Sequence, residues 1–135
     1  MGEYQAAQKA MFDFWATMGL PVYIHGEAPR DKPLPYITFT PTLGDAFSQA
    51  DAEAFLWVKA TDEASANKER AKWCDKITQR IPARGVKIAV DGGGMIVCYR
   101  QGNGTFISPY DPPEDKEVVG ARIAVQVHFY NSILA

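Results

Sequence analysis

The stretch VDGGGMIV, residues 90–97, is the first candidate for chemistry. A glycine-rich loop cradles phosphate when its backbone amides wrap the anion and a lysine reaches it, as in GxxxxGK[ST], or when GxGxxG opens a helix. Here Met95 and Ile96 follow Gly94, with no lysine or hydroxyl, and what comes next reads as a strand. Asp91-Gly92 between the alternating runs VKIAV and MIVCYR is a hairpin signal instead, with glycine supplying positive φ.

The remaining reactive residues form no pattern of their own. His25 and His128 each sit in or beside a strand-like run, without the three or four ligands in register that zinc requires. Asp111, Glu114 and Asp115 crowd into YDPPEDKE, but EF-hand spacing is absent and the prolines stiffen the wrong places, so an acidic surface loop is expected. There is no GxSxG. Cys74 falls on the apolar stripe of a helix without a placed histidine, and Cys98 lies in an apolar run, so both are expected to be reduced and buried. No cofactor, metal or catalytic residue is assigned.

Composition narrows the classes further. The chain has 135 residues, 47% hydrophobic and 12% aromatic, which suits one domain, 1–135, with a real core. A formal charge of −2 argues against nonspecific nucleic-acid binding, which needs a basic footprint. The opening MGEYQAAQKAMFDFW lacks signal-peptide and myristoylation patterns, and no run approaches the ~18 apolar residues of a membrane span. Work in a cytoplasm, or in something assembled there, is the expectation.

Periodicity supplies the elements that must position these residues. Tyr4, Ala7, Met11, Phe14, Trp15 and Met18 predict a helix over 3–18, stopped by Gly19 and Pro21. Strands are expected at 22–24, at 35–40 with one wetter face, and at 54–60, where apolar residues on both faces indicate a central strand. A second helix over 62–81, capped by Thr61 or Asp62, would bury Ala71, Cys74, Ile77 and Ile81, with Trp73 beside them. Strands at 86–90, 95–100 and 118–130 complete the list. In the last of these, Ile123, Val125, Val127 and Phe129 alternate with Ala124, Gln126, His128 and Tyr130.

The fold class is therefore α+β: a mostly antiparallel sheet of about five to six strands with two helices. Two features exceed a bland monomer. AFLWVKA and the second face of AVQVHFY carry more apolar surface than two helices cover, as at an oligomer interface. The connections at 41–53 and 101–117 are long for so small a domain, and such loops often carry function.

Three stretches together resemble the phage tail terminator family, the minor tail or tail-completion proteins of long-tailed phages. They are LPVYIHGEAPRDKPLPYITFT, AFLWVKATDEASANKERAKWCDKITQRI and SPYDPPEDKEVVGARIAVQVHFY. The resemblance spans most of the chain but includes no catalytic signature, and the 41–53 connection and the glycine hairpin have no counterpart in it. It implies a structural, non-enzymatic protein of the virion tail or neck, assembled in the bacterial host cytoplasm. Its homo-oligomer, a hexameric ring, would cap the tail tube, end polymerisation and join tail to head. Partners would be the tube protein and head-tail connector proteins; DNA would pass without specific binding, and no membrane is involved. Loop length and polarity nominate Asp45, Phe47, Gln49, Asp51, Asn103, Tyr110, Asp111, Glu114 and Asp115 as contacts. Head-tail connector or head-completion proteins of the same phages are an alternative. So are a host binding module and a small enzyme, the last predicting a pocket lined by convergent polar groups such as His128, Tyr130 and Asp111.

Overall fold

The computed structural model describes residues 2–27, 33–41, 49–60, 62–101, 105–112 and 117–130. The elements are α1 (Glu3–Ala16), β1 (Val22–Ile24), β2 (Tyr36–Phe39), β3 (Gln49–Lys59), α2 (Glu63–Arg80), β4 (Val86–Ala89), β5 (Met95–Arg100), β6 (Ile107–Pro109) and β7 (Val118–Tyr130). The strands form one sheet in the order β1-β2-β3-β7-β5-β4, with β6 pairing alongside β7. The α+β class holds, with one refinement: β1 pairs parallel with β2, so the sheet is mixed.

Both helices cover the same face. Ala7, Met11, Trp15 and Met18 from the α1 segment and Ile77 and Ile81 from the α2 segment join one core with Ile37, Leu56, Ile96, Ile123 and Val127 of the sheet. Each large aliphatic side chain fully withdrawn from water there contributes about 1.5–3 kcal/mol. Contacts from α1 reach both β1 and β4, the two sheet edges, so the sheet curls around this helix.

Several boundaries differ from the sequence expectation. α1 ends at Ala16 rather than 18, because Thr17 leaves the helix and its hydroxyl donates to the Phe14 carbonyl; Gly19 then takes φ +92°. Tyr4, expected on the buried stripe, is 49% exposed. Asp62 caps α2 by accepting from the Ser65 amide. Ala71 is exposed, and it is Ala66 that joins Ile77 in the buried stripe, while Trp73 and Cys74 are half-buried. β2 has no wet face: all four of its residues are buried, Thr38 included.

The largest revision concerns β3, which begins at Gln49 rather than at 54. Ala50 and Ala52 point inward there, but alanines alternating with Gln49, Asp51 and Glu53 give a weak apolar period. Eleven consecutive pairs with β7, from Gln49↔His128 to Lys59↔Val118, extend the strand regardless. β6 is a second strand inside an expected loop. Its three residues, Ile-Ser-Pro, have no alternation to detect and are held by pairing with 121–123 of β7. The glycine hairpin forms as expected: β4 pairs antiparallel with β5, and Gly92 and Gly93 take φ +96° and +98°.

Candidate interaction face

Among the described residues, no helix covers the other face of the sheet. Strand alternation sends odd-numbered residues of β3 and even-numbered residues of β7 onto it, since their neighbours Leu56, Ile123 and Val125 enter the core. The β3–β7 ladder therefore displays a sequence of pairs: Gln49↔His128, Asp51↔Gln126, Glu53↔Ala124, Phe55↔Arg122 and Trp57↔Gly120. The face changes character along its length, polar at one end and aromatic at the other.

The aromatic end is built around Phe55. Its ring stacks on Trp57 at 5.7 Å and meets Tyr110 at 5.2 Å and His25 at 5.3 Å. Trp57 and Tyr110 meet edge-to-face at 5.8 Å. The Trp57 indole N–H donates to Thr38 Oγ1 at 2.9 Å, which satisfies both groups in a largely dry setting. On the β1–β2 side, Tyr23 and Tyr36 form another edge-to-face pair at 5.8 Å. These rings leave Phe55 only 8% exposed, while Tyr110 remains 43% exposed.

Gly120 makes this arrangement possible. A Cβ there would lie 2.7 Å from the carbonyl oxygens of both Leu56 and Tyr110 and 3.2 Å from the Trp57 ring. Its carbonyl accepts from the Tyr110 amide at 2.9 Å, tying the residue after β6 against β7. The Asp111 side chain turns away toward α2, where Arg70 Nη1 donates to its carboxylate at 3.0 Å and to the Gly120 carbonyl at 3.1 Å.

The polar end is a lattice of side-chain bonds. Arg122 Nε donates to Glu53 Oε2 at 2.6 Å. Gln126 reaches Asp51 at 3.5 Å, His128 Nε2 lies 3.1 Å from Gln126 Oε1, and the Tyr99 ring meets His128 edge-to-face at 5.0 Å.

Of the contact residues nominated from sequence, Gln49, Asp51 and Tyr110 share this face, although two of them stand on a strand rather than in a loop. Asp111 is adjacent but directed at α2. Asp45, Phe47, Asn103, Glu114 and Asp115 lie outside the described residues. Sequence reasoning overlooked Phe55, Trp57, Thr38 and His25 as a group. The only available signal was the doubly apolar run AFLWV.

His128, Tyr130 and Asp111, named as one example of polar groups that an enzyme pocket could gather, do not converge. Asp111 is anchored at Gly120, eight residues from His128 along one strand, or roughly 27 Å. Both cysteines are free; burial raises the Cys74 thiol and pushes Cys98 up to about 12. Among the described residues no group of three His, Cys, Asp or Glu side chains is placed to hold a metal, and no helix is long and apolar enough to cross a membrane.

No family model and no curated protein matches the chain. A solved structure described only by a serial designation aligns with 94% of this chain and 92% of its own, at a TM-score of 0.50 and 14% identity. The two share a fold over nearly their whole length, and at that identity the likeness extends to the fold alone.

Proposed function

We propose that this protein is a structural ring subunit of a long-tailed phage or prophage, which caps the tail tube, ends its growth and joins tail to head. The observation that supports the reading is the helix-free face of the sheet. Its two longest strands, β3 and β7, build a broad surface of partly exposed rings and ordered polar groups. Aromatic side chains bordered by polar ones are what protein partners bury. The resemblance of the three sequence stretches to tail terminators supplies the identity of those partners: the tube protein on one side and a connector on the other. In this reading the chain works without a cofactor in the virion neck, and DNA passes the ring without specific binding.

The test is molar mass by light scattering at two concentrations, with and without tail tubes. A hexamer, or a monomer that becomes hexameric on tubes, is the expected result. A stable monomer that ignores tubes would overturn the proposal. Tyr110→Ala and Trp57→Ala variants then ask whether tube capping depends on the aromatic end.

A further inference from the structure

The sheet path ends at β1 and β4, and β6 forms a third edge beside β7. An open edge offers a row of backbone N–H and C=O groups to another chain unless something blunts it. Two of the three are blunted. In β6 the bonds from the Tyr110 amide to Gly120 and from the Ala124 amide to Phe106 turn Ile107 and Pro109 outward, and proline has no N–H to give. β1 is three residues long, its Val22 is buried, and the outward Ile24 carbonyl accepts from the Glu27 amide.

β4 is closed by neither device. The Val90 amide donates to the Gly94 carbonyl, so antiparallel alternation bonds Ile88 and Val86 to β5 and points the N–H and C=O of Lys87 and Ala89 outward. Both residues are exposed. Between this edge and α1 lies a cleft of about 240 Å³ whose apolar lining is Ala6, Ala10, Phe14 and Ile88. That volume is below the ~300–1,000 Å³ of small-molecule sites and suits single side chains. Its two carboxylates, Asp13 and Asp91, both lie against Lys9, at 3.0 and 3.5 Å.

Charge decides which chain fits. Lys87 alternates onto the helix-free face, where its row continues across the sheet through Val97, His128 and Gln49, none of them a carboxylate. Among the described residues no carboxylate lies within ion-pair distance of Lys87. A lysine on an edge wards off uncharged and basic strands, while an acidic side chain opposite it is favourable. Two β4 edges pairing with each other would set the two Lys87 side chains directly or diagonally opposite, a like-charge contact. A second copy therefore fits less well than a different chain that carries the acid.

We propose that β4 receives an extended segment of a different protein as an added strand. Alternate side chains of that segment are apolar and enter the cleft between α1 and β4, and one between them is a carboxylate beside Lys87. Main-chain bonds to Lys87 and Ala89 supply affinity, and the alternation supplies specificity. This contact goes beyond the ring reading and does not depend on it.

Amide hydrogen exchange on the full chain tests it. The probe is a capped hexapeptide alternating valine with threonine, one central threonine replaced by glutamate. The amides of Lys87 and Ala89 should exchange freely without peptide and slow about tenfold at saturating peptide. Ala89→Pro removes only an outward N–H, so it should keep the parent urea midpoint yet lose the protection at Lys87. Lys87→Glu, at an exposed position, should weaken the glutamate peptide about threefold and favour a peptide with lysine in that place. Binding by Ala89→Pro at the parent level would overturn the proposal. So would a Lys87→Glu chain that treats both peptides alike, or an absence of protection at millimolar peptide. Protection at Lys87 and Ala89 that rises with protein concentration alone would assign the edge to a second copy and overturn it too, leaving the ring reading standing.

Discussion

The two faces of this sheet are made by the same strands and held by different physics. On the covered face, Leu56, Ile123 and Val127 are fully buried under two helices, and stability comes from aliphatic area removed from water. On the open face, Phe55 is nearly as buried, but its cover consists of other side chains of the same layer: Trp57, His25 and Tyr110. One face is sealed by secondary structure and the other by neighbouring rings and hydrogen bonds. The second kind of surface is ordered yet keeps Tyr110 accessible to a partner.

Adjacent residues on β3 make the contrast measurable. Leu56→Ala should lose about 2–5 kcal/mol in urea unfolding, because the helices cannot collapse into the gap. Gly120→Ala comes next, at about 1–3 kcal/mol, since the added methyl meets backbone oxygens on both sides. If it were neutral, the close approach of Tyr110 to β7 would not be structural. Phe55→Ala should cost less than Leu56→Ala and less than the about 3–5 kcal/mol usual for a buried Phe, because side-chain cover can close over the space. Equal losses at 55 and 56 would erase the distinction drawn here.

Smaller effects probe the charges. Glu53→Gln removes half of the Arg122 pair, whose side chains are 35% and 44% exposed, and should cost only about 0.2–1 kcal/mol. A larger loss would mean that the polar end of the open face is drier than its exposure indicates. The cap of α2 adds a pH-dependent effect. The bond from the Ser65 backbone holds the Asp62 carboxyl below its ordinary value of 3.8. Its contribution is complete above that value and is lost as pH falls through the lower folded value. Asp62→Ala should flatten this part of the acid unfolding curve and leave neutral-pH behaviour of the open face unchanged.

How much of this was legible varied with the strength of the local signal. Both helices, the glycine hairpin and the last strand could be read from periodicity, because each has a full apolar stripe or a turn that demands glycine. The first half of β3 was not legible, since Ala50 and Ala52 provide too little apolar contrast against Gln49, Asp51 and Glu53. β6 was not legible at all, because three residues containing a proline become a strand only when β7 is there to pair with them. The candidate face was half visible: AFLWV announced surplus apolar surface, and Tyr110 was named for lying in a loop, not for its ring contact with Phe55.

The sequence by itself determined the class of architecture, most of the α1 stripe with Ile77 and Ile81 of the α2 stripe, and the turn at Gly92, since these depend on residues close along the chain. The tertiary structure alone decided which rings meet. His25, Thr38, Phe55, Trp57 and Tyr110 come from β2, β3 and the segments beside β1 and β6, and only strand pairing brings them within contact. It also decided that both helices lie on one face, which leaves the other open. That choice follows from where the α1 and α2 stripes find a common core, and no local pattern encodes it.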